Sequence, residues 1–286
     1  MNISLLGIGL MGQALAKHLL DEGQQLTVFN RSPEKTVELH NLGATVVLTA
    51  QDAVNNSDFC ILMLSDAEAI NTVVDSIDPD TFKDKIFIQM GTISPDESRA
   101  IARRITDCQG SYLECPVLGS LPEATSGTLI LMAGGSSDDF QAALPLLKII
   151  GKNPQHIGDI GQGATVKLAM NQLIAGLTTS FSLSLALVEK EGIEVEQFMK
   201  IVRDSALYAP TFDKKLERML QRDYSNPNFP TKHLAKDTRL FLSVAKQLGL
   251  ETCALEGIKQ LLEKTLAKGL ADTDYSAIYA GINKDQ

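Results

Sequence analysis

The sequence predicts an α/β fold in its first half and an all-helical fold in its second half. In the first half, short apolar runs alternate with segments of helical spacing, a pattern typical of a parallel sheet covered by helices on both faces. After residue 163 the strand pattern almost disappears, and a long apolar helix begins there. We therefore predict two domains, at residues 1–162 and 163–286.

The predicted elements follow one another without an internal repeat or a low-complexity linker. Apolar runs predict strands at residues 3–8, 26–29, 45–48, 59–64, 86–89, 112–114, 129–133 and 155–157. Helical spacing predicts first-half helices at 11–21, 33–42 and 94–106, and it also marks the other segments between strands. The helix at 94–106 begins with Ser94-Pro95-Asp96-Glu97, a capping box with proline at the first helical position.

Second-half helices are predicted at 163–190, 195–205, 211–221, 231–248, 253–268 and 275–282. The first of them is apolar nearly all round, so we expect it to be buried on most of its sides. Its apolar stretch from Leu173 to Val188 is interrupted by serines and threonines and contains no run of the ~18 apolar residues that a membrane span needs. No membrane partner is expected.

Composition excludes several classes of protein. The 286 residues are 44% hydrophobic and 21% charged, which is ordinary for a globular protein with a buried core. A net charge of -9 argues against a nucleic-acid surface, although a local basic pocket for a small anion is compatible with it. No basic segment precedes the first apolar run, so we expect no secretory signal.

The four cysteines carry no chemical signature of their own. They form no C-x-x-C pair and lie at no metal-ligand spacing from a histidine: Cys60, Cys108, Cys115 and Cys253. We expect free thiols in a reducing compartment, a cytoplasmic location and no metal.

A glycine-rich motif stands between the first strand and the first helix: Gly7-Ile8-Gly9-Leu10-Met11-Gly12. In this context, G-x-G-x-x-G is typical of Rossmann dinucleotide-binding domains. Gly7 would permit the tight turn, Gly9 would let the backbone approach the pyrophosphate, and Gly12 would let helix and strand pack closely. The helix N-terminus would add amide donors. The alternative is a glycine-rich turn that binds no ligand.

The end of the second strand indicates which dinucleotide is bound. NAD-dependent enzymes usually have an acidic residue there for the ribose hydroxyls, but this chain has Asn30, Arg31 and Ser32. Arg31 could stack on adenine and contact a 2′-phosphate, while Ser32 and Lys35 could add donors. The pattern favours NADP(H). Ser32 could also serve simply as an N-cap ahead of proline.

A lysine in the long apolar helix is a candidate for acid–base chemistry. Gly163, Lys167 and Asn171 follow at intervals of four residues and therefore share one helix face. Burying a lysine is costly, and burial lowers its pKa towards the range useful for proton transfer. Asn171 could orient Lys167 or the substrate. A snorkelling lysine with an unrelated asparagine remains the alternative.

Taken together, the motifs resemble those of the β-hydroxyacid dehydrogenases, the family of 3-hydroxyisobutyrate dehydrogenase. The resemblance covers essentially the whole chain. It rests on Gly7 to Gly12, Glu114-Cys115-Pro116-Val117-Leu118-Gly119-Ser120, Gly163-x-x-x-Lys167-x-x-x-Asn171, and Lys236-Asp237. Within that family, Asn30-Arg31-Ser32, Met63-Leu64-Ser65-Asp66 and residues 229–237 resemble the glyoxylate/succinic semialdehyde reductases.

The resemblance implies a Rossmann domain, a helical domain that forms a homo-oligomer (a dimer or tetramer), and NADP(H) as cofactor. It implies that Lys167 donates the proton in reduction. A small carboxylate substrate would be bound by Leu118, Gly119, Ser120, Asn171 and Asp237. The implied cofactor contacts beyond the glycines and the Asn30 segment are Leu10, Met11, Leu64, Ser65, Thr92 and Lys236.

The substrate loop departs from the family pattern. The family usually has Ser-Gly-Gly or Ser-Gly-Ser after Pro-Val, whereas this chain has Leu118-Gly119-Ser120, so a hydroxyl donor is lost. Tyr208-Ala209-Pro210 likewise stands where the reductases tend to have Asn-Pro. Both departures leave the substrate open.

Four functions therefore remain to be distinguished. The first is an NADPH-dependent reductase of small aldehyde or oxo acids, of the succinic semialdehyde or glyoxylate type. The others are a 3-hydroxyisobutyrate or other β-hydroxyacid dehydrogenase, an imine reductase, and a non-catalytic dinucleotide-binding module. The last two generally lack the lysine, so Lys167 argues against them.

Overall fold

The computed structural model describes residues 1–283, and it confirms an α/β unit followed by a helical one. In the described residues, nine strands form one sheet in the order β3-β2-β1-β4-β5-β6-β8-β7, with β9 paired to β8. The strands are β1 Asn2–Leu6, β2 Gln25–Phe29, β3 Thr45–Val46, β4 Phe59–Leu62, β5 Ile86–Gln89, β6 Ser111–Glu114, β7 Val117–Leu118, β8 Ile130–Gly134 and β9 Gln155–Gly158.

The order and direction of the strands determine which loops lie side by side at the edge of the sheet. β1 pairs in parallel with β2 on one side and β4 on the other, so that Leu5 lies opposite both Val28 and Ile61. β5 and β6 continue the parallel arrangement, whereas β8 runs antiparallel to β6 and β7. The carboxyl ends of β1, β2, β4 and β5 consequently lie along one edge, which is where ligands bind in open α/β sheets.

Helices cover both faces of this sheet. They are α1 Leu10–Asp21, α2 Val37–Asn41, α3 Ala50–Asn55, α4 Ala67–Asp75, α5 Pro95–Asp107, α6 Leu121–Thr125 and α7 Ser137–Ile150. Successive residues of a strand point to opposite faces. Accordingly, Leu5 packs in a core cluster with Leu15 of α1, and Leu6 packs in another with Ile70 of α4.

Some first-half elements differ from their predicted bounds. The helix predicted at 33–42 is a 3-10 turn, Pro33–Thr36, followed by the short α2. The strand predicted at 45–48 ends at Val46, because β3 is the edge strand and pairs only with β2. The two-residue β7 was not predicted, since a run this short shows no periodicity. The capping box is confirmed: Ser94 Oγ accepts from Glu97 N at 3.3 Å, and Ser94 N donates to Glu97 Oε2 at 2.7 Å.

The second part of the chain is helical, as predicted. Its helices are α8 Gln162–Lys190, α9 Val195–Asp204, α10 Pro210–Gln221, α11 Thr231–Gln247, α12 Cys253–Ala267 and α13 Ile278–Ile282. Between residues 168 and 283 there is no strand, only an isolated bridge between Pro230 and Asp274. The helix predicted at 275–282 is a 3-10 turn, Tyr275–Ala277, followed by α13.

A buried ion pair holds α10 to this turn. Lys215 Nζ lies 2.9 and 2.8 Å from the two carboxylate oxygens of Asp274 and 4.3 Å from the centre of the Tyr275 ring. Burial lowers the pKa of Lys215, and the charge of Asp274 opposes that shift. Removing either partner would leave a buried charge without its counterion, which is strongly destabilising.

The chain divides into two compact units, Met1–Lys167 and Leu168 onward. The division falls inside α8, whereas the predicted boundary lies at the head of this helix; the last three residues of the predicted second domain lie outside the described range. We expected α8 to be buried on most of its sides, but one of its faces is exposed in the single chain. This face carries four exposed leucines: Leu173, Leu177, Leu183 and Leu187. By length and composition alone α8 could cross a membrane, a test that core helices of soluble proteins also pass.

Candidate active site

Two glycines of the Gly7-to-Gly12 motif, one in the loop after β1 and one in the first turn of α1, allow close backbone approaches that no other residue would permit. Gly7 has φ +107°, and a Cβ there would lie 2.3 Å from the carbonyl oxygen of Met63. A Cβ on Gly12 would lie 2.0 Å from the carbonyl oxygen of Gly7. At Gly9, by contrast, a Cβ would meet no atom within 4 Å, so this side of the loop is open. The loop therefore packs tightly on one side and leaves backbone accessible on the other.

The N-terminus of α1 suits an anion. Its N-cap is Gly9, which has no side chain to satisfy the first amides, and its first turn contains no acidic residue. Free amides and the helix dipole favour phosphate groups at such a position. Of the two predicted contacts in this turn, Leu10 is exposed and Met11 is half-buried. These features fit the pyrophosphate of a dinucleotide.

Asn30 joins the glycine-rich loop to the loop after β2. Its Oδ1 accepts a hydrogen bond from Ile8 N at 2.9 Å, and its Nδ2 donates to the Ser32 carbonyl oxygen at 2.9 Å. Gly7 N also donates to the Phe29 carbonyl oxygen at 3.0 Å. The amide of Asn30 is thus engaged with backbone on both sides, and the residue orders the two loops.

A cavity of about 250 Å³ opens beside this loop. It is lined by Phe29, Asn30, Arg31, Pro33, Thr36, Val46, Val47 and Leu48. Arg31 and Lys35 are exposed, and neither forms an ion pair within residues 1–283. The side chain of Ser32 makes no capping hydrogen bond, although Pro33 stands at the first helical position. The apolar walls and the basic rim fit an adenine ring with a phosphate nearby.

The loops after β4 and β5 carry the other predicted cofactor contacts of the first unit. A Cβ on Gly91 would lie 2.3 Å from the Leu64 carbonyl oxygen, so glycine allows the loops of Leu64 and Thr92 to approach. Ser65 Oγ donates to Asp66 Oδ2 at 2.7 Å, and Asp66 caps α4 by accepting from Ala69 N at 2.8 Å. Since β4 lies beside β1, and β5 lies beside β4 in the same parallel direction, these loops lie at the same sheet edge as the glycine-rich loop.

The predicted substrate loop is built around a left-handed glycine. Gly119 has φ +134°, and a Cβ there would lie 2.8 Å from Leu129 Cδ2. Ser120 N and Oγ both donate to Glu123 Oε2, at 2.7 and 2.9 Å, which fixes the start of α6. Leu118 is half-buried and lies opposite Ile130. The Ser120 hydroxyl is therefore already used as a donor within the loop.

The candidate catalytic lysine is buried. Lys167 is 9% exposed on α8, and Asn171, one turn later, is 2% exposed. Asn171 Nδ2 donates to Asp237 Oδ2 at 2.6 Å, and Lys236 Nζ lies 3.1 Å from Asp237 Oδ1. Asn171 Oδ1 is buried with no hydrogen-bond partner among residues 1–283. A buried lysine and a buried free acceptor thus follow each other on one helix.

The structure places the predicted residues in two groups. The first unit contains the glycine-rich loop, the Asn30 segment, Leu64, Ser65, Thr92 and the substrate loop. The second unit contains Asn171, Lys236 and Asp237. Within residues 1–283, no group of three or more His, Cys, Asp or Glu side chains is placed to hold a metal ion. The four cysteines are free.

Sequence reasoning assigned no role to Glu114. This residue ends β6 and is fully buried, and its carboxylate accepts hydrogen bonds from the start of α8. The available signal was an acidic residue at the end of a predicted strand, inside a motif already noted. Its partners are distant in sequence, so the motif alone could not indicate them.

Comparison with known proteins covers almost the entire chain. A family model described as the NAD binding domain of 6-phosphogluconate dehydrogenase matches residues 2–158. A second, described as NAD-binding of NADP-dependent 3-hydroxyisobutyrate dehydrogenase, matches residues 161–282.

Individual relatives agree with these matches. Glyoxylate/succinic semialdehyde reductase 1 of Arabidopsis thaliana is 31% identical over 285 residues, covering 99% of this chain and 98% of the relative. 2-Hydroxy-3-oxopropionate reductase of Escherichia coli (strain K12) is 31% identical and covers 97% and 96% of the two chains. The structure of Mycobacterium tuberculosis 3-hydroxyisobutyrate dehydrogenase with L-serine has a TM-score of 0.86 at 23% identity, covering 98% of both chains.

Proposed function

Because the chain belongs to the β-hydroxyacid dehydrogenase family of NAD(P)-binding oxidoreductases, which act on hydroxyl or carbonyl groups, we propose that it reduces a small aldehyde or oxo acid with NADPH. The product would be the corresponding hydroxy acid. The observation that carries this proposal is the burial of Lys167 in an apolar helix, one turn before Asn171.

Lys167 would act as the general acid. The nicotinamide supplies a hydride to the carbonyl carbon when it is bound. Negative charge then develops on the carbonyl oxygen, and the Lys167 ammonium would stabilise that charge and transfer its proton to the oxygen. Such a group typically contributes ~10²–10⁴ in rate. Asn171 would help to orient the reacting oxygen or Lys167 itself, since Asp237 fixes its amide.

The preference for NADPH rests on the loop after β2. Arg31 lines the adenine-sized cavity and brings a positive charge to it, and Lys35 is exposed on the turn that follows. No acidic residue stands at the end of β2 to bind the ribose hydroxyls of NADH. A guanidinium binds phosphate through paired N–H donors, which is a charge-assisted contact. We therefore expect the 2′-phosphate to be bound by Arg31, with donors from Ser32 and Lys35.

The substrate class follows from the relatives and from one local difference. Two relatives that are 31% identical to this chain carry substrates in their names: glyoxylate and succinic semialdehyde in one, and 2-hydroxy-3-oxopropionate in the other. Leu118 removes a donor from the predicted substrate loop, so a substrate with an apolar stretch is favoured over the smallest oxo acids. A homo-oligomer and a cytoplasmic location accompany the proposal as predictions.

An NADPH-oxidation assay tests the proposal. The purified protein would be screened against glyoxylate, succinic semialdehyde, other short semialdehydes and cyclic imines, with Lys167→Ala assayed beside the wild type. We expect turnover of an aldehyde or oxo acid, and a kcat ~10²–10⁴ lower in Lys167→Ala with NADPH affinity unchanged. Lys167→Arg should recover little activity, because guanidinium does not release its proton at accessible pH.

A second lysine of α8 provides the control. Lys190 is exposed in the last turn of the same helix, so Lys190→Ala should retain wild-type kcat. Wild-type activity in Lys167→Ala would contradict the mechanism. Turnover of cyclic imines alone would favour an imine reductase, and no NADPH oxidation with any carbonyl compound would favour a binding module.

A further inference from the structure

A buried carboxylate binds the start of the helix that carries Lys167. Glu114 is fully buried at the end of β6. Its Oε1 accepts hydrogen bonds from Gly161 N at 2.8 Å and from Ala164 N at 3.1 Å. Lys167 follows Ala164 by three residues. One carboxylate oxygen therefore ties the first turn of α8 to the central sheet.

The other carboxylate oxygen is held by the side chain of Ser98, which in turn contacts Tyr112. Ser98 Oγ, on α5, donates a short hydrogen bond to Glu114 Oε2. The Ser98 hydroxyl is also 2.9 Å from Tyr112 Oη, and both residues are fully buried. We name Glu114, Ser98 and Tyr112 the Glu114 cluster. Glu114 and Tyr112 belong to β6 and Ser98 belongs to α5. These two elements therefore hold the carboxylate in place where it bonds the start of α8.

The backbone around Glu114 is shaped to admit its side chain. A Cβ on Gly134, in β8, would lie 2.4 Å from Glu114 Oε1. A Cβ on Gly163, in the first turn of α8, would lie 3.2 Å from the same oxygen and 2.4 Å from the Met132 carbonyl oxygen. Two glycines therefore leave the space that the carboxylate occupies. This also explains why glycine begins the Gly163-x-x-x-Lys167 motif.

The hydrogen bonds that reach the carboxylate suit an anion. Its neighbours are N–H and O–H donors, among them the amides of Gly161, Gly163 and Ala164. Burial raises the pKa of Glu114, and the bonds from Ser98 and these amides oppose that rise. A carboxylate at a helix N-terminus is also stabilised by the helix dipole. The anion satisfies amides that would otherwise remain unpaired at the start of α8.

We propose that Glu114 is a positioning residue that fixes the first turn of α8 and thereby sets the place of the Lys167 ammonium. The expected effect on kcat rests on the proposed reductase function. The fixing of the first turn of α8 by Glu114 does not depend on it. At a rise of 1.5 Å per residue, Lys167 lies only about 4.5 Å along the helix axis from Ala164, so a shift of the first turn of α8 carries Lys167 with it. A displacement of about 1 Å at a reacting group can cost ~10²-fold in rate.

Two substitutions separate position from charge. Glu114→Asp keeps the charge but shortens the side chain, so its carboxylate cannot reach both Ser98 and the amides without moving α8. Glu114→Gln keeps the length, and its amide can satisfy the same partners if the Ser98 hydroxyl reverses its direction. We expect Glu114→Asp to lower kcat about tenfold or more and Glu114→Gln to recover most of it, with the Kd of NADPH unchanged in both.

Hydrogen exchange measured by mass spectrometry gives a readout that needs no substrate. The amides of residues 161–164 should exchange faster in Glu114→Asp than in the wild type, while those of α1 keep their protection. Leu146→Ala, on α7, is the control for a general loss of stability, since Leu146 is fully buried in the apolar core and is not part of the Glu114 cluster. It should lower the melting temperature and leave kcat unchanged.

The outcomes are distinct. Unchanged exchange at residues 161–164 in Glu114→Asp would overturn the inference, as would faster exchange with wild-type kcat. A fall in kcat of equal size in Leu146→Ala would reduce Glu114 to a stabilising residue. If Glu114→Asp does not fold, Ser98→Ala removes one hydrogen bond to the carboxylate and should show the same changes in smaller measure. If the wild type reduces no carbonyl compound, the proposed function fails, and the exchange result still decides whether Glu114 holds α8.

Discussion

Asn171 donates a hydrogen bond from Nδ2 to Oδ2 of Asp237 over 2.6 Å, and both side chains are buried. Because the amide nitrogen faces a carboxylate, the amide cannot turn over without placing two acceptors against each other. Asn171 Oδ1 is therefore fixed in direction as an acceptor. It is suited to receive a hydrogen bond from an ammonium or from the hydroxyl of a product.

Asp237→Asn tests this arrangement. An amide at 237 can face Asn171 in either orientation, so the direction of Asn171 Oδ1 would no longer be determined. We expect the KM for the carbonyl substrate to rise several-fold, because one buried hydrogen bond contributes ~0.5–1.5 kcal/mol. The loss of kcat should be smaller than in Lys167→Ala. Asp272→Asn is the matched control, since Asp272 pairs with Lys232 at an exposed site and should leave the kinetics unchanged. Wild-type KM in Asp237→Asn would contradict the assigned orientation.

Asn30 and Arg31 are neighbours with different predicted effects on cofactor binding. Asn30 bonds Ile8 N and the Ser32 carbonyl, so Asn30→Ala should disorder both loops and weaken NADPH and NADH alike. Arg31 is exposed beside the cavity, and Arg31→Ala should remove one charge-assisted contact worth on the order of 1.5–3 kcal/mol. NADPH affinity should then fall about tenfold or more while NADH affinity changes little.

Isothermal titration calorimetry with both dinucleotides would measure the four affinities. Equal losses of NADPH and NADH in Arg31→Ala would mean that Arg31 stacks on adenine and does not bind the phosphate. A loss confined to NADPH in Asn30→Ala would mean that Asn30 contacts the 2′-phosphate directly and that its hydrogen bonds to the loops are secondary.

The sequence predicted most of what depends on short-range order. The glycine motif, the alternation of strands and helices, and the capping box at Ser94 are local patterns, and each was found where expected. Elements at the edge of the sheet were predicted less well. β3 and β7 are only two residues long, and tertiary pairing defines them more than periodicity does.

The parts of the site that sequence could not provide are those that join distant segments. Asn30 bonds Ile8 across 22 positions, and Glu114 bonds Gly161 across 47. Neither residue type is diagnostic alone: an asparagine at the end of a strand or a glutamate after an apolar run has many uses. Only the sheet order gives these side chains their partners: it brings β1 beside β2, and it brings β6 beside β8, which pairs with β9 just before Gly161.

His233 predicts a pH dependence of stability. Burial lowers its pKa, and the charge of Lys236 lowers it further against the opposing effect of Asp237. Because the folded-state pKa lies below the unfolded one, the unfolded chain takes up a proton first as the pH falls. Stability is therefore complete above the unfolded pKa near 6.5 and is lost as the pH falls through the folded pKa.

Urea unfolding between pH 7.5 and 5 would measure this loss. The wild type should lose free energy of unfolding towards low pH, and His233→Gln should lose less over the same range. His40→Gln is the control, since His40 is exposed, and it should behave like the wild type. Parallel curves for the wild type and His233→Gln would show that His233 is equally easy to protonate in both states.

Leu118 carries the prediction about substrate choice. Val117 is buried in a core cluster, and Leu118, the next residue of β7, therefore faces the opposite side of the strand and belongs to none of the core clusters. Leu118→Ser should cost little stability and add a hydroxyl donor to the loop. A new hydrogen bond to a carboxylate is worth ~1.5–3 kcal/mol, so the KM for glyoxylate should fall about tenfold, while substrates with an apolar stretch bind less well. Steady-state kinetics on glyoxylate and succinic semialdehyde would measure both changes.

Val117→Ser is the control: it should lower the melting temperature without changing the ratio of the two kcat/KM values. An unchanged ratio in Leu118→Ser as well would show that this side chain does not face the substrate.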